Sequence, residues 1–331
     1  MFHTSSNFTI SSISAAVPSN KLTRDDFKSI YGTDVEKKLF LNNGVQTRHF
    51  AKDDQSTIEL SIKLAKDIIK KDEINSEEID AIIFITQSTD YVLPGGSFVI
   101  HKELNLSDNC ICLDYNIGCS AYPIGLFQAS LLFNNPNIKR ILLIIGDTLS
   151  KYLDKDERGT YCLFGDGVSV SFLESKKENK QSLFHIKNDG SGYENLIVKE
   201  KILSKNKKLL SMNGMGVFSF TIDKIPKMIF DLQNKFKLTH SDISYLILHQ
   251  ANKTIIDIIN EKTKFTSKSL TSISDFGNTA SASIPLTICH NKKYLNNKNI
   301  NCLLVGFGVG LSWSSCYVNF SHTRINDIYY Y

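Results

Sequence analysis

Cys119 is the residue of this sequence whose type and setting most clearly suggest chemistry. It follows a strand-like run in which Ile111 and Leu113 alternate, and it precedes a helix-like run with Pro123 in the first turn. Gly118 permits the sharp turn between the two. A thiol there faces unpaired backbone N–H groups and the positive end of the helix dipole, which lower its pKa. The pattern predicts a nucleophile, but an inert buried cysteine gives the same pattern until partners are found.

Two further junctions carry residues that would complete a cysteine-based site. His249 ends an apolar, strand-like run and precedes a helix start, and Asn278 follows Gly277 in a turn that leads into another helix. A lone histidine at a strand end is more often structural, and a lone Gly-Asn pair is usually only a turn. Cys, His and Asn at three separate strand-to-helix junctions form a recognised nucleophile pattern. We therefore interpret Cys119, His249 and Asn278 as one catalytic set.

The composition limits the protein classes that fit. With 331 residues, the chain is long enough for two core-forming units. The net charge of +4 is far below the basic excess of a dedicated nucleic-acid binder, so we expect no nucleic-acid partner. The longest aliphatic run, Ile141–Ile145, is too short to span a membrane, and the first residues lack the layout of a signal peptide.

The seven cysteines indicate a reducing compartment. Their number is odd and they are scattered through apolar runs, which argues against a disulfide framework and favours a cytoplasmic protein. Cys110 and Cys112 could suggest a metal site, but no second Cys/His pair has ligand spacing. Alternating positions of a buried strand explain them better, so we expect no metal.

The chain repeats itself. Residues 58–89 and 222–252 each contain a helix with apolar spacing, a polar turn and a strand, and Ile79 matches Ile243 at an offset of 243 − 79 = 164. Residues 137–146 match residues 299–308 at an offset of 299 − 137 = 162. Matches in chain order at nearly one spacing predict a duplicated unit of alternating helices and strands.

The duplication divides the chain into two predicted halves. We place an N-terminal half with the cysteine at residues 1–175 and a C-terminal half with the histidine and asparagine at 176–331. The polar segment 174–210 would be the connection between them plus a surface excursion. If the halves pack about a pseudo-twofold axis, the helix starts near Cys119 and Asn278 converge, and His249 joins them.

Several motifs together resemble the β-ketoacyl-ACP synthase III family. They occur in family order from about Asn43 to the C-terminus, and they are NIGCSA at 116–121, DERGT at 156–160, FGDG at 164–167, HQAN at 249–252, GNTASAS at 277–283 and GFGVGLSW at 306–313. The resemblance implies an α/β thiolase fold, which is a duplicated, five-layered αβαβα architecture and normally a homodimer. That expectation agrees with the repeat.

By this resemblance the reaction is a decarboxylative Claisen condensation in fatty acid or specialised acyl-chain biosynthesis. Cys119 would attack an acyl-CoA, keep the acyl group and release CoA. Malonyl-ACP, carried by acyl carrier protein, would lose CO₂, and its enolate would attack the acyl-Cys119 carbonyl. His249 and Asn278 would donate hydrogen bonds to the malonyl thioester oxygen as it gains charge. Both thioesters are substrates, and no cofactor is implied.

The resemblance also implies binding groups. The backbone N–H groups of Cys119 and of a residue near Val309 would form the oxyanion hole. The positions that match the CoA and pantetheine tunnel are Arg158, Met212, Phe218, Ala251, Asn252 and Phe307. The chain departs from the family where Val309 replaces a glycine and where Thr254 occupies a position that is often basic for carrier docking. The family's tunnel-mouth Trp, which stacks on the CoA adenine, is not evident around residues 38–40.

Three other functions fit parts of the sequence. Acyl transfer from Cys119 to an alcohol or amine, in a secondary-metabolite or glycan pathway, would favour an Asp beside His249; Asn278 cannot accept a proton, so condensation fits better. A 3-hydroxy-3-methylglutaryl-CoA-synthase-like reaction would need a Glu general acid, and residues 51–56 and 115–128 contain none. A non-catalytic partner subunit with the same fold would be expected to lack one of the three residues, and all three are present.

Overall fold

Strands and helices alternate along the chain. The computed structural model describes residues 1–177, 180–201, 207–296 and 299–331. In these residues the strands are β1 (Phe2–Ser5), β2 (Phe8–Val17), β3 (Lys21–Thr23), β4 (Thr47–His49), β5 (Ala81–Ile85), β6 (Ile111–Tyr115), β7 (Arg140–Asp147), β8 (Gly167–Ser175), β9 (Ser182–Asn188), β10 (Leu196–Lys201), β11 (Lys207–Met212), β12 (Tyr245–Leu248), β13 (Asn301–Gly308), β14 (Ser312–Asn319) and β15 (Arg324–Tyr330). The α-helices are α1 (Arg24–Tyr31), α2 (Thr33–Asn43), α3 (Thr57–Lys71), α4 (Gly96–Glu103), α5 (Ala121–Leu132), α6 (Arg158–Tyr161), α7 (Gly214–Phe236), α8 (Lys253–Thr263), α9 (Ile273–Phe276), α10 (Ser283–His290) and α11 (Lys292–Leu295).

Two large sheets and three groups of helices form five layers. The first sheet has the strand order β15-β2-β8-β7-β5-β6, and the second has the order β1-β9-β14-β13-β12. Helices α3 and α4 pack on the first sheet, and α7, with α8 against it, packs on the second. Helices α5 and α10 each contact strands of both sheets, so they lie between them. This is the αβαβα architecture that the resemblance to the β-ketoacyl-ACP synthase III family implies.

The two central helices are apolar on nearly all sides because they are enclosed. Tyr122 and Leu126 on α5, like Leu286 and Ile288 on α10, are fully buried. A helix that is hydrophobic all round is stable only in such an interior position. Among the helices of the described residues, none combines the length and the apolar character that crossing a bilayer requires.

The strand pairing repeats between the two halves, as the duplication predicts. β5 lies parallel to β7 with Ile83 opposite Leu143, and β12 lies parallel to β13 with Ile247 opposite Leu304. The helices that precede β5 and β12, α3 and α7, occupy the two outer layers. The repeated helix–strand pattern found in the sequence is therefore a repeat of structure.

One strand near each end of the chain belongs to the sheet of the other half. β1 pairs with β9, which places Phe2 opposite His185, and β15 runs parallel to β2, which places Arg324 opposite Ser12. The halves predicted at 1–175 and 176–331 consequently interlock. The boundary between them stays a prediction.

Segment 174–210 contains more core structure than its polar composition suggests. β9 lies inside the second sheet between β1 and β14, and its residues Leu183, Phe184 and His185 are buried. The interpretation of the whole segment as a polar connection and excursion missed this strand, because lysines and asparagines flank its short apolar run. Residues 178–179 and 202–206 of the segment lie outside the described residues.

His185 is a buried, neutral histidine that should make the fold sensitive to acid. Its ring stacks on Phe2 with 4.0 Å between ring centroids. Burial lowers the pKa of His185 to about 4, and the positive charges of Lys187 and the N-terminal ammonium act in the same direction. Between the ordinary histidine pKa of about 6.5 and a pKa of about 4, only the unfolded chain takes up the proton. The free energy of unfolding therefore falls as the pH decreases through this window.

We expect His185→Phe to remove this contribution while keeping an aromatic ring against Phe2. Between pH 7 and pH 5, the wild type should lose about 1 to 2 kcal/mol more unfolding free energy than the variant. Urea unfolding at the two pH values measures the difference. Equal losses in the two proteins would mean that His185 is not the group responsible.

Candidate functional site

A cavity of about 380 Å³ contains the three candidate catalytic residues. Cys119, His249 and Asn278 all line it. The remaining lining is mostly apolar and consists of Leu163, Phe164, Leu196, Met212, Met215, Val217, Phe218, Ala251, Ile255 and Phe307, with Asn42, Gly214, Asn252, Thr254 and Gly308. Residues that are far apart in sequence thus face one space between the two halves.

The six predicted CoA and pantetheine positions separate into two groups. Met212, Phe218, Ala251, Asn252 and Phe307 line the cavity with the candidate catalytic residues. Arg158 does not; it is exposed at the start of α6, and its guanidinium carbon lies 5.8 Å from the ring centroid of Tyr31. The role of Arg158 in CoA binding therefore stays a prediction.

Cys119 occupies the turn between β6 and α5, with Ser120 as the residue that precedes the helix. The strand β13 passes directly beside it. A Cβ atom at Gly308 would lie 2.9 Å from Cys119 Cβ and 3.0 Å from its Sγ. The sulfur therefore has room only because residue 308 is a glycine.

The electrostatics of Cys119 correct one expectation from the sequence. Burial, and then the charge of Asp147, raise the pKa of the Cys119 thiol to about 12. The backbone N–H groups of Cys119 and Val309 donate toward the sulfur and act in the opposite direction, but they are the weaker influences. The expected lowering of this pKa by the helix start is thus outweighed by desolvation.

The same two N–H groups are the pair expected to form an oxyanion hole. Both reach the sulfur of Cys119 from the backbone, one from the turn before α5 and the other from the end of β13. Their fixed positions cost no reorganisation when charge develops near the sulfur. Val309 therefore contributes its backbone in spite of the side chain that replaces a glycine.

His249 follows β12 and is held as a neutral donor. Its Nδ1 lies 2.6 Å from Ser283 Oγ, a pair in which the tautomer decides the donor, and that hydroxyl also accepts the N–H of Gln250 at 3.4 Å. In the tautomer in which Ser283 donates to Nδ1, the neutral imidazole carries its hydrogen on Nε2. Burial lowers the pKa of His249 to about 3, which keeps the ring uncharged near neutral pH.

The side-chain amide of Asn278 is oriented by two backbone groups. Its Oδ1 accepts the N–H of Ala280 at 2.9 Å, and its Nδ2 donates to the carbonyl of Ala251 at 3.2 Å. An amide nitrogen carries two hydrogens, so one donor stays available to the cavity. The pairing of Oδ1 with an N–H and of Nδ2 with a carbonyl fixes which end of the amide is which.

The backbone of Asn278 is anchored by the strand-like residues 163–165. Its N–H donates to Leu163 O and its carbonyl accepts from Gly165 N, both at 2.9 Å. Gly277 has φ +66°, and a Cβ there would approach Leu163 O to 2.7 Å, so both its backbone conformation and its surroundings require a glycine. The FGDG and GNTASAS motifs thus support each other physically.

Sequence reasoning missed the residues that hold the candidate catalytic groups in place. Ser283 contacts His249, and Ser281 donates to the buried carboxylate of Asp147 at the end of β7. Both serines belong to the motif at 277–283, which was the available signal. Asp147 had no signal of its own, because an aspartate after an apolar strand is common.

Comparisons with known proteins show the family of this chain. The family model of the 3-oxoacyl-[acyl-carrier-protein (ACP)] synthase III C-terminal region matches residues 233–320, and the 3-oxoacyl-[ACP] synthase III model matches residues 113–190. The chain is 32% identical over 319 residues to a beta-ketoacyl-[acyl-carrier-protein] synthase III of Clostridium botulinum (strain Okra / Type B1), covering 93% of this chain and 97% of that protein.

Similar proteins also occur in other bacteria. A beta-ketoacyl-[acyl-carrier-protein] synthase III of Fusobacterium nucleatum is 31% identical over 319 residues, covering 92% of this chain and 96% of that protein. The crystal structure of a 3-oxoacyl-(acyl-carrier protein) synthase from Burkholderia xenovorans LB400 has a TM-score of 0.95 at 30% identity and covers 100% of this chain and 99% of its own. The chain therefore belongs to the 3-oxoacyl-[acyl-carrier-protein] synthase III family, whose members are acyl-transferring condensing enzymes of the thiolase fold.

Proposed function

We propose that this protein condenses an acyl-CoA with malonyl-ACP through an acyl group carried on Cys119. The observation that carries the proposal is the convergence of a thiol, a neutral imidazole and an oriented amide in one apolar cavity. None of the residues that line this cavity in the described ranges is acidic. Neutral hydrogen-bond donors suit a reaction in which negative charge develops on a thioester oxygen.

In the first step, Cys119 takes the acyl group. The sulfur attacks the thioester carbonyl, and the backbone N–H groups of Cys119 and Val309 stabilise the oxyanion that forms. The carbon–sulfur bond to CoA then breaks, and the proton lost by the Cys119 thiol leaves with the CoA sulfur. The net charge of the site does not change, so the step does not depend on a persistent thiolate.

In the second step, His249 and Asn278 act on the malonyl thioester. Loss of CO₂ leaves an electron pair on the α-carbon of the thioester. This pair is delocalised onto the thioester oxygen, which becomes an enolate oxygen. His249 Nε2–H and the free Asn278 Nδ2–H donate to this oxygen. The enolate carbon then attacks the acyl-Cys119 carbonyl, the carbon–sulfur bond to Cys119 breaks, and a 3-oxoacyl-ACP is released. The Cys119 thiolate takes up one proton from solvent, which balances the loss of CO₂ from the malonyl carboxylate.

The cavity suits a pantetheine arm, and the proposed partners follow from that. Its apolar walls, which include Met212, Phe218 and Phe307, can enclose a slender chain that brings a thioester to Cys119. Asn252 also lines the cavity, and its Oδ1 accepts from Ile255 N, so it starts α8 as well. Acyl-CoA would bind in this cavity first, and the pantetheine arm of the acyl carrier protein would then bind in the same cavity. Cysteine-based condensation needs no metal or prosthetic group, and a reduced thiol suits the cytoplasm.

Gly308→Ala should block acylation of Cys119, because the added methyl group would press on its Cβ and Sγ. A displacement of about 1 Å at a reacting atom can reduce the rate by about 100-fold, and we expect an effect of that order. Intact-protein mass after incubation with an acyl-CoA measures the acylation rate. Gly190→Ala is the matched control, since nothing lies within 4 Å of a Cβ there. Normal acylation by Gly308→Ala would contradict the proposed position of the reacting sulfur.

Asn278→Ala should separate the two steps of the reaction. The variant loses a donor to the enolate oxygen but leaves Cys119 and its N–H partners unchanged. We expect it to acylate at close to the wild-type rate and to lose about 100-fold in condensation. Mass spectrometry of the protein follows acylation, and the formation of 3-oxoacyl-ACP from malonyl-ACP follows condensation.

Two comparisons make this test of the proposed function decisive. Asn109→Ala removes the same side chain at an exposed site and should match the wild type in both steps. In the wild type, the acyl label should map to Cys119 and disappear in Cys119→Ala. A label on another cysteine, transfer to an alcohol without consumption of malonyl-ACP, or wild-type condensation by Asn278→Ala would overturn the proposal.

We also propose that two copies associate along strand β6. β6 is an edge strand of the first sheet and pairs only with β5 among the described residues. Large apolar side chains are exposed in the same β5–α4–β6 region; Val92 and Leu93 are 90% and 80% exposed, and Phe98 is 57% exposed. An unpaired edge beside an exposed apolar surface is typical of an interface, and a two-fold pair of identical edges is the simplest closed assembly.

Replacing Val92 and Leu93 together by Asp should weaken this association. The wild type should sediment as a homodimer of about 75 kDa, twice the 37.3 kDa chain. The double variant should sediment as a monomer at micromolar concentration, because four charges would face each other across the interface. Leu41→Asp changes another exposed leucine, 73% exposed on α2, and should leave the dimer intact. A monomeric wild type, or a variant that dimerises like it, would count against this interface.

A further inference from the structure

Asp147 is a fully buried carboxylate that the proposed chemistry does not use. It ends β7, and none of it is accessible to solvent. The groups that donate hydrogen bonds to it are neutral, and they come from both halves of the molecule. A buried charge without a cation is costly to retain, so its position calls for an explanation.

The two oxygens of Asp147 bind two different segments. Oδ1 accepts from Gln87 N at 2.7 Å and from the hydroxyls of Thr86 and Ser88 at 3.2 Å, all after strand β5 in the first half. Oδ2 accepts from Ser281 Oγ at 2.6 Å and Ser281 N at 3.2 Å, in the second half. One side chain therefore ties the end of the first sheet to a single turn of the other half.

That turn is the one that orients both proposed donors. It is the 3₁₀ turn Ala280–Ala282, which lies between Asn278 and Ser283. Ala280 N fixes Asn278 Oδ1, and Ser283 Oγ contacts His249 Nδ1. Ala280 has φ +46°, a conformation that an alanine rarely adopts and that the surrounding contacts must maintain.

We propose that Asp147 is a positioning residue for the condensation step, acting through Ser281 to hold the Asn278 amide and the His249 imidazole at the distance from Cys119 that the enolate requires. The inference rests on the proposed function. Cys119 itself is set by the turn before α5 and by β13, not by the turn at 280–282. Loss of the tie should therefore affect condensation and spare acylation.

Asp147 has a second effect that a purely structural residue would not have. When ionised, Asp147 adds to burial in raising the pKa of the Cys119 thiol, and burial raises the pKa of Asp147 itself. His249, which lines the same cavity, is neutral. Removing the charge should lower the pKa of Cys119, whereas removing a neutral partner of Asp147 should not.

Asp147→Asn tests both effects. The amide keeps the shape of the carboxylate, but its NH₂ group points hydrogens at the donors that bind one of the two carboxylate oxygens, and those hydrogen bonds are lost. We expect condensation to fall by about tenfold or more, acylation to change by less than about twofold, and the pKa of Cys119 to decrease. The rate of iodoacetamide alkylation as a function of pH measures that pKa. Ser281→Ala keeps the charge, so it should reduce condensation with no decrease in the pKa of Cys119.

Asp166→Asn is the matched control. Asp166 is also fully buried and accepts hydrogen bonds from Ser150 and from Ala51 N, and neither of these residues belongs to the turn at 280–282. We expect Asp166→Asn to lower stability without a selective loss of condensation. The proposal is overturned if Asp147→Asn condenses like the wild type, or if both Asp variants reduce acylation and condensation in equal proportion.

Two further outcomes keep the test interpretable. If Asp147→Asn does not fold, Ser281→Ala alone decides, and condensation at the wild-type rate in that variant overturns the proposal. If the wild type acylates but never condenses, the proposed function fails instead. Comparing the alkylation of Asp147→Asn and Ser281→Ala still tests whether the charge of Asp147 acts on Cys119. A pKa of Cys119 that is unchanged in both variants would overturn the proposed effect of this charge.

Discussion

The enclosure of α5 and α10 between the two sheets is the constraint on which the rest of the structure depends. Both helices are apolar on nearly all sides, so neither can turn or shift without exposing buried surface or opening a void. Their first residues are therefore fixed in space. Cys119 precedes one of these helices and Asn278 precedes the other, and the strand β12 delivers His249 to the same cavity. Duplication of one helix–strand unit thus assembles a site from residues that are distant in sequence.

Burial has one electrostatic consequence for the two titratable groups of this cavity. It raises the pKa of Cys119 and lowers the pKa of His249, so both are uncharged near neutral pH. In an interior of low dielectric constant, a fixed N–H donor interacts with a developing negative charge more strongly than it would in water. The uncharged state of the empty site is thus suited to a reaction whose charge appears only on the substrate.

The sequence predicted the architecture and the residues of the cavity better than it predicted their environment. Alternating helices and strands, the repeat and the convergence of Cys119, His249 and Asn278 all followed from local patterns that the fold preserves. β9 was missed because a short buried strand inside a lysine-rich segment has little local signal. Arg158 does not line the cavity, and its role in CoA binding stays a prediction.

The pKa of Cys119 could not be predicted for a different physical reason. A helix start is visible in the sequence and lowers the pKa of a thiol, but the degree of burial depends on every element that packs around it. Here desolvation is the largest influence, followed by Asp147, which lies 28 residues away along the chain (147 − 119 = 28). The tie from Asp147 to Ser281 is equally non-local, because it joins the two halves.

Access, rather than acidity, distinguishes Cys119 from the other six cysteines. Burial raises the pKa of every one of the seven thiols; it reaches about 12 for Cys110 as for Cys119, and about 11 for Cys162. Acidity therefore does not single out the thiol in the cavity. Cys119 alone among the seven lines the space in which a thioester could lie. Gly308 leaves room beside the sulfur, and the backbone N–H of Val309 points toward it. A bound thioester therefore meets both the nucleophile and its oxyanion donors at that one cysteine. Selectivity of this kind needs a shaped cavity and not a persistent thiolate, which also spares the empty site from the oxidation to which exposed thiolates are prone.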